Sequence, residues 1–96
     1  MSILVEIGEE AALIRAAGEL DLSVAGELKS ALMTALESSR NAVVDVQRVP
    51  GIDLSCTQLL LAAAREFRLV GHTLTMEDPA GTFAAVLLDY GFKEAQ

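Results

Sequence analysis

The sequence predicts one α/β domain, a four-stranded mixed sheet with helices in the order ββαβαβα. Three observations carry that prediction. Short aliphatic and β-branched runs alternate with longer segments of helical period. The first two runs are joined by three residues, Gly8-Glu9-Glu10, too few for a parallel crossover, whereas the later runs are separated by helix-length segments that fit right-handed crossovers. Finally, 96 residues, 52% hydrophobic but only 4% aromatic, allow a single core built from Ala, Leu and Val, so residues 1–96 form one domain.

Each element follows from local chemistry. Residues 3–7 and 11–17 form an antiparallel hairpin. Gly18-Glu19-Leu20-Asp21-Leu22-Ser23 leads into a first helix, with Asp21 or Ser23 as its N-cap and Val24, Leu28, Ala31, Leu32, Ala35 and Leu36 on one face. Ser38-Ser39-Arg40-Asn41 ends it. A strand over 42–47 follows, rich in valine, and Pro50-Gly51 stops the run. Ser55 followed by Gln58 matches a capping box, so a second helix is expected over 55–69, with Leu59, Leu60, Ala63 and Phe67 toward the sheet and Gly71 as its stop. Residues 72–76 alternate as a strand parallel to the previous one. A last helix over 80–90 would place Phe83, Val86, Leu87 and Tyr90 on one face.

Several functions are disfavoured by composition and spacing. A net charge of -7, with its seven basic residues scattered, repels a phosphate backbone, so no nucleic-acid partner is expected. The longest apolar run, 59–64, is far shorter than a membrane span, and Glu6, Glu9 and Glu10 argue against a secretory leader. The expected setting is the cytoplasm, without membrane insertion. One histidine and one cysteine offer no metal-ligand set, and no cofactor motif is present. A Ser55–His72 hydrolase is unattractive because the two residues belong at opposite ends of parallel strands. Cys56, with no second cysteine to resolve it, reads as a packing residue rather than a redox sensor.

The stretch from Val43 to Phe67, "VVDVQRVPGIDLSCTQLLLAAAREF", resembles the signature of the STAS domain, the family of bacterial anti-sigma factor antagonists. In that family a hydrophobic strand ending in Asp leads through a short loop to Asp-Ser-Ser-Gly-Leu at the head of a helix. Gly18-Glu19-Leu20-Asp21 resembles the family's second-strand ending, and the element order agrees over nearly the whole chain. The resemblance implies a binding module without catalysis, acting by partner switching on an anti-sigma factor or GHKL-type serine kinase, or on a sensor histidine kinase. It implies a partner surface made by the loops after the second and third strands. Glu19, Asp21, Ser23, Asp53, Leu54, Ser55, Cys56 and Gln58 fall on or beside those loops.

One departure bears on mechanism. The family's phosphate acceptor directly follows the aspartate, and here that residue is Leu54. Ser55 is the nearest hydroxyl and the candidate phosphoacceptor, with Thr57 as second choice. Leu54 is expected either as an exposed docking knob or tucked beneath the helix. A domain lacking the acceptor also fits a non-switching STAS subunit of a lipid or ABC-type transport ATPase complex, the rival reading. Nucleotide binding, reported for some members, has no independent support in the residues.

Overall fold

The computed structural model describes residues 2–78 and 93–94. Its strands are β1 (Ser2–Ile7), β2 (Ala11–Ala17), β3 (Asn41–Arg48), β4 (Leu74–Glu77) and β5 (Lys93–Glu94), and they lie in the sheet in chain order. β1 and β2 are antiparallel, with Val5 opposite Ile14. β3 runs parallel to β2, β4 parallel to β3, and β5 parallel to β4. The four expected strands are therefore present, and the two-residue β5 extends the edge beyond them.

Two helices, α1 (Ala25–Glu37) and α2 (Leu54–Leu69), make the crossovers. The period-two pattern decides which face they cover. Ala12, Ile14 and Ala16 of β2, Ala42, Val44 and Val46 of β3, and Leu74 and Met76 of β4 are all buried on it. Against them α1 packs Leu28, Ala31, Leu32 and Ala35, and α2 packs Cys56, Leu60, Ala64 and Phe67. The many alanines let helix and sheet backbones approach closely, and Phe67 supplies much of the bulk. On the other face Arg15, Gln47 and Glu77 are exposed. There Arg15 pairs with Glu6 at 3.3 Å, and Gln47 donates to Glu77 at 3.2 Å.

The helix ends are fixed by specific contacts. After α1, Ser39 takes a left-handed conformation (φ 58°), and Arg40 donates to the Ser38 carbonyl at 2.8 Å and to the Glu9 carbonyl at 3.2 Å. That guanidinium joins the end of α1 to the β1–β2 turn. After α2, Gly71 (φ 82°) donates to the Arg68 carbonyl at 3.1 Å and His72 donates to the Phe67 carbonyl at 2.9 Å, a glycine-terminated helix end. Thr73 N–H then meets the Asn41 side-chain oxygen at 3.0 Å. His72 thus sits at the entry edge of the parallel strands, whereas Ser55 follows the exit of β3, as the argument against a hydrolase requires. The helix expected over 80–90 lies outside the described residues.

Candidate partner-docking site

The loops that leave β2 and β3 emerge side by side and are sewn together through their backbones. Gly18 N–H donates to the Arg48 carbonyl and Leu20 N–H to the Gly51 carbonyl, both at 3.0 Å, and Asp53 N–H returns to the Leu20 carbonyl at 2.9 Å. Leu20 and Ile52 form an isolated parallel bridge, so the pairing of the sheet continues into the loops. Gly18 has φ 94°, where a side chain would be strained. Gly51 lies under the Glu19 carboxylate, and a methyl group there would come within 2.6 Å of Glu19 Oε2. Leu20 and Val49 anchor the tip from below, both buried.

Each loop ends in the same tripeptide, Asp-Leu-Ser, and in each the aspartate accepts the serine hydroxyl and caps the helical turn that follows. Asp21 Oδ1 accepts from Ser23 N–H at 3.0 Å and from the Ser23 hydroxyl, capping a 3₁₀ turn over Leu22–Val24. Asp53 Oδ1 accepts from Cys56 N–H at 3.0 Å and from the Ser55 hydroxyl at 2.7 Å, capping α2. These donors, led by the Cys56 N–H and joined by Leu22 N–H, hold the Asp53 carboxyl below its ordinary value of 3.8. Between each Asp and Ser stands an exposed leucine, Leu22 at 74% and Leu54 at 63%. The tip is therefore a pair of apolar knobs set among the acids Glu19, Asp21 and Asp53.

Three expectations are corrected by this geometry. The cap of α2 is Asp53, not Ser55, because a carboxylate one residue before the helix outcompetes a hydroxyl within its first turn. Ser55 accordingly donates to Asp53 and makes no capping box with Gln58, which is exposed. Cys56 is fully buried, in keeping with its reading as a packing residue and against its place among the contact residues; its thiol donates to the Asp21 carbonyl at 3.4 Å and links the two loops from beneath. Burial and the charge of Asp53 push that thiol's pKa up, against a reactive thiolate. Thr57 is also buried, with its hydroxyl given to the Asp53 carbonyl at 2.8 Å, so it has no free face for a kinase.

Of the remaining expected contact residues, Glu19, Asp21, Ser23 and Leu54 are exposed, and Asp53 and Ser55 are half-buried. Leu22 was not among them. The repeated Asp-Leu-Ser tripeptide was the signal that pointed to it. Among the described residues no group of His, Cys, Asp and Glu could hold a metal ion, and no helix is long and apolar enough to cross a membrane.

A mixed sheet with its helices on one face, and two bridged loops at the C-terminal ends of β2 and β3, defines a small α/β module. The chain belongs to the STAS domain family: the family profile described as "Mlab, STAS domain" matches residues 3–94. The anti-sigma factor antagonist SpoIIAA in its unphosphorylated form is similar over 99% of this chain and 88% of its own, with TM-score 0.81 and 22% identity. The Bacillus cell fate determinant SpoIIAA in its phosphorylated form covers 99% and 92%, with TM-score 0.78 and 22% identity. An anti-sigma factor antagonist from Mycobacterium paratuberculosis covers 95% and 81%, with TM-score 0.73 and 21% identity. At such identities the likeness is one of fold. A search of curated protein sequences finds no match.

Proposed function

We propose that the protein is a regulatory binding module of the anti-sigma factor antagonist kind, which docks a GHKL-type serine kinase or a sensor kinase through its tip and catalyses nothing itself. The observation that carries this is the twin Asp-Leu-Ser cap, with Leu22 and Leu54 exposed at 74% and 63% on one backbone-bridged platform. Apolar knobs ringed by carboxylates suit a partner pocket lined by apolar residues and rimmed by Lys or Arg. The docking is not switched by phosphate. Leu54 occupies the family's acceptor position, and the Ser55 hydroxyl is already given to Asp53. A phosphate on Ser55 would bring about -1.5 to -2 charges against that ionised carboxylate.

Leu54 at the acceptor position also favours a second reading, a permanent STAS subunit of a transport ATPase complex. Two measurements test the proposal. Recombinant GHKL-type serine kinases of the same cell, titrated singly by calorimetry, should include one that binds wild type and is lost with Leu22→Glu/Leu54→Glu. If none binds and the chain instead co-purifies with a transport ATPase, the second reading holds. Intact mass of the protein from its own cell should show a single unmodified species; a form heavier by one phosphoryl group and lost in Ser55→Ala would overturn the non-switching reading.

A further inference from the structure

The tip accounts for one end of α2, but the exposed side of that helix continues to its other end. Leu54, Gln58, Ala62, Arg65 and Leu69 are all exposed. At 100° per residue they fall within roughly 80° of arc, a narrow stripe along about 24 Å of helix. Read by type, the stripe is apolar, polar, small, polar, apolar. It is the same in both directions. Leu69 is 73% exposed, Val70 beside it 57%, and among the described residues no ion pair engages Arg65 or Arg68.

We propose that this stripe is an interface for a second copy of the chain, formed by two antiparallel α2 helices about a twofold axis near Leu61 and Ala62. In that register Leu54 of one copy lies level with Leu69 of the other, and Gln58 with Arg65. Arg68 comes level with Ser55, one turn or less from the Asp53 carboxylate. The capping Asp53 of each helix therefore lies toward the end of its mate that carries Arg65 and Arg68, where Glu66 is exposed on the opposite flank of the stripe, and the antiparallel helix dipoles oppose favourably. Ala62 at the centre permits the close approach of 8–10 Å typical of packed helices. Twofold symmetry requires a self-complementary patch, and a stripe of palindromic type supplies one.

One helix stripe is smaller than the roughly 1,200 Å² of standard interfaces, so the dimer is weak. The chain's net charge of -7 opposes it too. At about 0.15 M salt the Debye length of about 8 Å screens that long-range repulsion more than it screens contact pairs. Leu54 belongs to both surfaces, so dimer and docked complex exclude each other. That competition rests on the function proposed above, but the dimer itself does not.

Sedimentation equilibrium of the whole chain at about 0.15 M salt tests the interface. The average mass should rise with concentration from 10.2 kDa toward twice that value and no further. Ala62→Glu, at an exposed site beside the axis, should weaken association about tenfold or more while leaving the circular dichroism spectrum unchanged. Under mild oxidation Ala62→Cys should cross-link, because the two positions stand one residue apart along the axis. Gln58→Cys should not, since its copies stand seven residues, about 10 Å, apart. Cys56 is buried and contributes no competing thiol.

A chain that stays monomeric to millimolar concentration overturns the proposal, as does equal cross-linking of both cysteine variants or an Ala62→Glu variant that associates like wild type. Kinase titration of Ala62→Glu separates this result from the docking reading. That variant keeps both knobs, so undiminished binding with lost dimerisation supports a dimer contact that extends along α2 beyond the docking tip. A dimer that forms in a chain binding no kinase leaves this inference standing and removes the docking one.

Discussion

Truncating Leu54 and Leu22 to alanine should separate docking from folding. Burying a leucine fully contributes about 1.5–3 kcal/mol. Leu54 retains 63% of its exposure and Leu22 74%, so most of that contribution is still available to a partner and little is used by the fold. The share left to a partner is roughly 1–2 kcal/mol for each residue, or a rise of about 5- to 30-fold in Kd per truncation. The stability of each variant should stay within about 0.5 kcal/mol of wild type. Urea unfolding followed by circular dichroism gives the second quantity and calorimetry with the kinase gives the first. A urea midpoint displaced by the equivalent of 1 kcal/mol or more would mean that these leucines belong to the core. An unchanged Kd for the double variant would put the interface elsewhere.

Other expectations follow from single contacts. Ser39→Gly should raise stability by about 0.5–1 kcal/mol, because φ 58° favours glycine, and thermal unfolding should show a midpoint several degrees higher. The lowered Asp53 pKa contributes stability that is fully present above 3.8 and is lost as pH falls through the lower folded value; acid unfolding of Asp53→Asn should lack that component, whereas an unchanged acid limb would deny the cap its charge. Cys56, buried and with its pKa raised, should resist iodoacetamide at pH 8 in the native protein and react only in urea, as intact mass would record.

The strands and crossovers were legible because their signals are periodic and redundant. Ala12, Ile14 and Ala16 on β2 and Ala42, Val44 and Val46 on β3 are buried at every second position, and Gly8-Glu9-Glu10 left the first pair no option but a hairpin. The start of α2 was legible only to within a residue, since Asp53 and Ser55 are both good caps and their competition is settled by backbone geometry rather than by residue type. Cys56 and Thr57 read as tip residues because they follow Ser55 in sequence. On a helix, however, successive residues differ by 100°, and that rotation turns both into the core. Leu22 was missed for the opposite reason: one apolar residue between Asp21 and Ser23 has no periodicity, and only the repeat of the tripeptide at Asp53-Leu54-Ser55 marks it. β5, two residues long, is too short to leave a pattern.

The backbone bonds that join the loop of Leu20 to that of Gly51 and Asp53 have a kinetic consequence. Loops already pinned to one another need no ordering on encounter, so the docking proposed above should proceed at the ordinary protein–protein rate of about 10⁵–10⁷ M⁻¹ s⁻¹, raised by the tip's carboxylates when the partner is basic. Changes at the two leucines would then be felt in how long a complex survives, while changes at Glu19 would be felt in how often one forms. A substitution that broke the Leu20–Gly51 bond would be distinguished from both, because it would slow association at every salt concentration.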